Sequence, residues 1–407
     1  MSAPPAKNGP VLAACIVAGN MIGSGIFLLP AILASVGSGS IIGWLLGALC
    51  AAILAGVYGI LATHRPPSES LLDYPRKALH PAAGFINWLA YWLGCWVGTI
   101  GILLAAVGYG LALFSLEFGR VAETGILIAA IWVVAIINLV GPKFMARFSA
   151  ATLVVGLLPI AAAILIGFFK FDAGMFQSAW NISGKPILEA TSPSVLTIFW
   201  AFLGMESANA VSRIVKNPQR NVPLAAIVAT LSVAVIYALA TTALFGLIPV
   251  EILGQSSAPF ADAISIAVGP IAGMVVAAAA FARTFGCAGS WFLVSAEANR
   301  VAIDNGYLPG FLSRALSTEN NLRDTVIIAV LMTIVSAATI SPTLNQQFIL
   351  IVDITVLIFL LVYALSSLSL IKFAQDFDDR KQKRRALIFG WLGLLSSLAI
   401  TFGYFAF

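Results

Sequence analysis

The chain has 407 residues, of which 60% are hydrophobic and only 10% charged, and its mean hydropathy is +1.00. Such a composition excludes a soluble globular domain and makes the chain an integral membrane protein. The net charge of +5 is spread over short loops and not gathered into a patch, so no nucleic-acid partner is expected.

The first apolar run, 11–36, is too long for a signal-peptide core and is read as a retained span. Its middle is Gly19-Asn20-Met21-Ile22-Gly23-Ser24-Gly25-Ile26-Phe27. Each interior glycine costs a helix roughly 1 kcal/mol relative to alanine, so this stretch is expected to unwind at its midpoint. A broken backbone at that depth is tolerated where it faces protein or a water-filled cavity, and its freed N–H groups bind a carboxylate there. The same glycines would equally serve close packing of neighbouring helices. A second interrupted segment, Trp200-Ala201-Phe202-Leu203-Gly204-Met205-Glu206-Ser207-Ala208, shifts the balance, because paired breaks in corresponding halves mark inverted-repeat transporters.

Further spans of about 20 apolar residues are read at 41–63, 84–114, 125–141, 148–169 and 195–212, and then at 224–247, 270–301, 326–340, 348–371 and 387–407. With the first, that makes about eleven. If the N-terminus is cytoplasmic, the outside segments carry only Arg120, Lys170 and Lys185, while the inside ones carry all other basic residues except Arg283. This asymmetry fixes an N-inside orientation. The segment 64–83 is a polar, basic loop, Asn217-Pro218-Gln219-Arg220-Asn221-Val222-Pro223 a turn-rich connector, and 376–385 a mixed-charge solvated loop. An odd span count would leave the end of the chain outside.

Charges at membrane depth cost about 2.5 to 3.5 kcal/mol each, so Glu206, Arg283 and Asp353 are functional candidates. Glu206 lies in the second break, where it either binds a proton or caps freed backbone N–H groups. Arg283 and Asp353 would satisfy one another as a buried pair, and a substrate role for either is the alternative. Trp200 and Trp291 are candidates to face a cationic group; packing is the other reading. Cys15, Cys50, Cys95 and Cys287 all fall in apolar spans and are read as small packing residues. No metal-ligand cluster, phosphate-binding loop or nucleophile motif is present, so neither enzymatic activity nor a cofactor is expected.

The stretch 19–30, the segment 200–208 and Lys216-Asn217-Pro218-Gln219-Arg220-Asn221-Val222-Pro223 resemble the basic amino acid/polyamine antiporters of the APC superfamily, over about residues 9–371. The resemblance implies an all-α membrane transporter with a five-plus-five inverted-repeat fold and broken first and sixth helices. The first repeat would be 11–169 and the second 195–371, within one transporter domain. Residues 1–10 would be cytoplasmic, 372–386 a cytoplasmic loop, and 387–407 an eleventh helix. It also implies alternating-access exchange of a cationic amino acid for its decarboxylated amine, with arginine and agmatine the leading pair, in the bacterial inner membrane and in connection with acid resistance. A neutral or acidic amino-acid exchanger in which Arg283 binds a side-chain carboxylate is the alternative within transport; a non-transporting membrane subunit or sensor is the alternative outside it.

Carried over by position, the substrate contacts fall on Met21, Ser24, Gly25, Gly94, Cys95, Thr99, Ile102, Trp200, Leu203, Trp291 and Thr355. The outer gate of two tyrosines and a glutamate falls on Tyr91, Tyr363 and Glu206, and the cytoplasmic pH-sensing tyrosine on Tyr74. Thr99 stands where the arginine exchangers have asparagine, and Arg283 and Asp353 add charges that those exchangers lack. A homodimer built on the eleventh and twelfth helices is implied, but no twelfth helix is read here. The expected partners are amino acid or amine substrates and membrane lipid.

Overall fold

The computed structural model describes residues 10–23, 25–65, 70–207, 217–308 and 322–406. Among them are α-helices and short 3-10 turns but no strand. The first span is two half-helices, α1 (Pro10–Met21) and α2 (Gly25–Leu33), separated by the unwound Ile22 and Gly23. Then come α3 (Ile41–His64), α4 (Tyr74–Ala78), α5 (Pro81–Leu113), α6 (Arg120–Asn138), α7 (Pro142–Phe169) and α8 (Ala173–Ser178). The second break follows α9 (Ile187–Phe199) as two 3-10 turns, Trp200–Phe202 and Met205–Ser207. The rest is α10 (Pro218–Phe245), α11 (Val250–Gln255), α12 (Pro259–Val268), α13 (Pro270–Asp304), α14 (Leu322–Ala338), α15 (Leu344–Phe373) and α16 (Arg380–Ala406).

Nine stretches are long and apolar enough to cross a bilayer among the described residues. The broken α1 and α2 and the 17-residue α14 fall on the other two expected spans, 11–36 and 326–340. Several helices begin before the expected spans, because a proline opens the first turn of α5, α7 and α10, where its missing N–H costs nothing. The polar start of α9 is missed for another reason. Thr191 and Ser192 donate their hydroxyls to the carbonyls of Ile187 (2.7 Å) and Leu188 (2.6 Å), so both sit in a membrane helix without an unmet polar group.

The two breaks occupy the centre, enclosed by α5, α13, α15, α3 and α10. α5 carries glycines on the face turned to them. A Cβ at Gly94 would stand 2.7 Å from the Phe359 ring, and one at Gly98 3.1 Å from the Trp200 indole, so the large aromatics of α15 and the second break lie directly on the α5 backbone. The outer helices α6, α7 and α16 expose Ile136, Val154, Leu165 and Leu395, a lipid-facing surface where lipid tails take the place of a packed neighbour.

Candidate functional site

The two breaks touch. Gly204 holds φ at +109°, and a Cβ there would lie 2.7 Å from the carbonyl oxygen of Asn20 at the end of α1. A Cβ on Gly25, the first residue of α2, would meet Ala201 Cα at 2.9 Å, and one on Gly23 the Cys287 sulfur of α13 at 2.7 Å. These glycines are needed for close approach as much as for weakening the helix. Inside the second break, Glu206 Oε2 accepts from the Gly204 N–H at 3.0 Å and from the Tyr363 hydroxyl at 3.0 Å. The carboxylate therefore caps the freed backbone and also joins a side-chain cluster.

Two adjoining cavities meet at the breaks. The smaller, about 20 Å³, is lined by Met21, Gly25, Gly94, Cys95, Ile102, Trp200, Leu203 and Trp291, all of them expected site residues. It is wide enough for roughly one water. The larger, about 670 Å³, runs from Gly19, Asn20 and Trp291 past Tyr91, Glu206 and Arg283 to Ser70 and Leu71. Ser24 lies outside the described residues. Thr99 and Thr355 are on helices α5 and α15 beside the site but line neither cavity, and their hydroxyls donate to the carbonyls of Cys95 (2.8 Å) and Ile351 (2.7 Å) one turn back.

The three residues expected to form a gate lie toward one face of the site. Tyr91 and Glu206 line the cavity that continues to Ser70, in the basic loop that the charge asymmetry assigns to the cytoplasm, and Tyr363 lies toward the same end of α15. The opposite side is sealed. The Phe27 ring is 5.8 Å from Tyr109 and 5.6 Å from Phe260, with the Tyr109 hydroxyl donating to the Phe27 carbonyl at 2.9 Å. Tyr91, Glu206 and Tyr363 thus form a cluster on the side of Ser70, in a conformation open toward that loop. Tyr74 is buried in a separate apolar cluster with Val57, Leu61, Leu370 and Phe373. Between the two, Tyr58 packs edge-on against Tyr363 at 5.6 Å and within electrostatic reach of Tyr74 and Glu206. At the mouth, Asn305 bridges α13 to α4, donating to Asp73 at 3.0 Å and accepting from Arg76. Burial pushes the neighbouring Tyr307 phenol up, against the opposing pull of Arg76.

Arg283 and Asp353 are not a pair. The Arg283 guanidinium donates to the carbonyls of Gly19 and Ile22 and faces Ser149. Asp353 instead accepts from Thr197 of α9 at 2.9 Å and from Tyr404 of α16. The expectation fails because backbone carbonyls at a helix end supply the counter-charge that a carboxylate would otherwise provide. With no partner in common, the stability losses of Arg283→Met and Asp353→Asn should add in the double variant within about 0.5 kcal/mol. Thermal unfolding of the three proteins measures this; recovery in the double variant would restore the pair.

Two residues at the site carry more than their sequence suggested. Phe359 sits between Tyr91 and Trp291, its ring 5.6 Å from the first and 5.9 Å from the second, both edge-to-face. It could have been found by spacing, since Thr355, Phe359 and Tyr363 recur every fourth residue on one helical face. Cys287, read as packing, lines both cavities, and only its neighbourhood to Gly23 reveals that.

The sequence pattern of the amino acid permease family matches residues 9–406. The chain is similar to the putrescine transporter PotE of Haemophilus influenzae, 31% identical over 98% of this chain and 92% of that protein. PotE of Escherichia coli is 31% identical over 90% of this chain and 83% of its own length. The cadaverine/lysine antiporter of Escherichia coli is 33% identical over 88% of this chain and 82% of its own length.

Proposed function

The chain belongs to the amino acid permease family, among its basic amino acid and polyamine antiporters, and we propose that it exchanges a cationic amino acid for a decarboxylated amine by alternating access. The single observation that carries this is the wall of the site. Trp291, Trp200 and Phe359 line the small cavity, and the carboxylate of Glu206 lines the larger one. A cation over an indole in a desolvated site gains up to about 2 kcal/mol, whereas an acidic side chain would be repelled by the π faces and by Glu206. Arg283 does not offer an acidic substrate a partner, because its donors are already directed at carbonyls.

In this reading the freed backbone at Gly23 and Gly25 holds the α-carboxylate, Trp291 is the platform under the side chain, and Trp200 is the lid. Tyr91, Glu206 and Tyr363 close the path to the cytoplasm, and the chain sits in the inner membrane with its N-terminus inside. Repeats over 11–169 and 195–371 rock against each other, and a homodimer remains part of the proposal. Arginine with agmatine is the leading pair, and the named substrates of the relatives add putrescine, cadaverine and lysine. Exchange needs no bond chemistry, only different affinities for two ligands in two conformations.

Proteoliposomes loaded with unlabelled arginine should accumulate labelled arginine, and empty ones should not. Competition by agmatine, putrescine, cadaverine, lysine, leucine and glutamate then ranks the substrates; stronger competition by leucine or glutamate than by any cation would overturn the reading. Trp291→Leu should weaken cationic competitors by about tenfold or more, the scale of a lost cation–π contact, while changing neutral ones much less. Equal losses for both would leave Trp291 as packing alone.

A further inference from the structure

Arg283 is only 2% exposed, lies in the membrane, and has no carboxylate partner among the described residues. Its guanidinium is nevertheless well engaged. Nε donates to the Ile22 carbonyl at 2.7 Å, one terminal nitrogen to the carbonyls of Gly19 (3.1 Å) and Ile22, and the other faces the Ser149 carbonyl at 3.3 Å. The acceptors on α1 are the ones a helix end leaves open. The last carbonyls of a helix have no intrahelical donor and carry the negative end of its dipole. Here Ala18 receives the Ile22 N–H and Met21 the Tyr237 hydroxyl, and Gly19 and Ile22 are left for Arg283. The slot is shaped for this side chain, since a Cβ on Gly156 of α7 would run into its stem.

Carbonyls at an unwound half-helix end are where broken-helix transporters coordinate a dissociable coupling cation. We infer that Arg283 is a tethered substitute for such an ion: it fills the carbonyl site with a charge that travels with α13, so exchange requires no inorganic monovalent cation. It is a positioning residue, holding the end of α1 against α13 and α7 in a fixed electrostatic state. The corollary is that removing the guanidinium leaves an empty site for a small cation. The transport part of this inference rests on the antiporter reading; the binding part does not.

The test uses the purified full chain in choline, sodium, potassium or guanidinium chloride at matched ionic strength and millimolar guanidinium, read by thermal unfolding and by exchange. The unfolding midpoint and exchange of the wild type should be the same in sodium and in choline. Arg283→Ala should unfold earlier in choline, lose exchange about tenfold or more, as coupled sites typically do, and regain both in guanidinium. Arg283→Lys, which keeps a tethered charge, should fold and ignore all four salts. A sodium requirement in the wild type or in Arg283→Lys overturns the inference, and so does an Arg283→Ala protein indifferent to every cation. Should Arg283→Ala not be recovered folded, the wild type and Arg283→Lys decide alone. If the wild type exchanges nothing in any salt, the antiporter reading fails and the unfolding comparison still decides this one.

Discussion

Gly204→Ala should leave little folded protein, and what folds should not exchange. Gly204 is the only glycine inside the second break, and its φ of +109° is a conformation that costs a residue with a side chain about 1–3 kcal/mol. The clash is the larger obstacle. The new methyl would stand 2.7 Å from the Asn20 oxygen and 2.9 Å from its carbonyl carbon, and both are backbone atoms that cannot swing aside. Separating them means separating the two breaks. Against a typical total stability of about 5–15 kcal/mol, the combined loss is severe. Gly125→Ala is the control: it is also a glycine-to-alanine change within a span, with nothing within 4 Å of the new methyl. Yield by gel filtration and the unfolding midpoint compare the two. A Gly204→Ala protein with the wild-type midpoint would mean that the breaks do not meet at this residue.

The position of both breaks was legible because membrane helices punish glycine and charge so heavily that an exception needs a reason. Gly19, Gly23 and Gly25 weaken one span, and Gly204 with Glu206 interrupts another. What the residues cannot reveal is where a side chain spends its polar atom. Thr99 and Thr355 are expected substrate contacts, yet each hydroxyl turns back to a carbonyl one turn away, a choice made by rotamer and not by sequence. The same limit explains Arg283. Two buried opposite charges invite pairing, but a helix end is an anion that no letter in the sequence marks. Helix starts failed at the polar edge, where proline-led first turns extend α5, α7 and α10 beyond their apolar stretch. Phe359 was missed although its spacing was visible, because an aromatic in a membrane helix carries no signal until a neighbour such as Trp291 is placed beside it.

The placement of Glu206 on the side of Ser70 decides which face's protons it should sense. Its carboxylate holds the Gly204 N–H and the Tyr363 hydroxyl, and the cavity it lines continues to Ser70, while the far side is closed by Phe27, Tyr109 and Phe260. Facing it are Tyr363 from α15, Tyr91 and Cys95 from α5, Tyr58 from α3, and Arg283 and Cys287 from α13 across the same cavity. Protonation removes a charge-assisted acceptor and loosens the hold on Tyr363, so conformations that part α15 from the second break gain population. Glu206→Gln mimics that state without changing size. It should retain substantial exchange and lose most of the dependence on pH at the face bearing Ser70, with the pH at the other face held constant. Glu206→Ala should lose far more, because it strands the Gly204 N–H and the Tyr363 hydroxyl, at about 1–3 kcal/mol for each buried group left unpaired. Exchange in vesicles of defined orientation, stepped from neutral to acidic on one face at a time, separates these outcomes. An unchanged profile in Glu206→Gln would confine Glu206 to capping the break and move the sensing to Tyr74, which lies within electrostatic reach of Tyr58. Flattening at the face sealed by Phe27 and Tyr109 would instead return these residues to an outer gate.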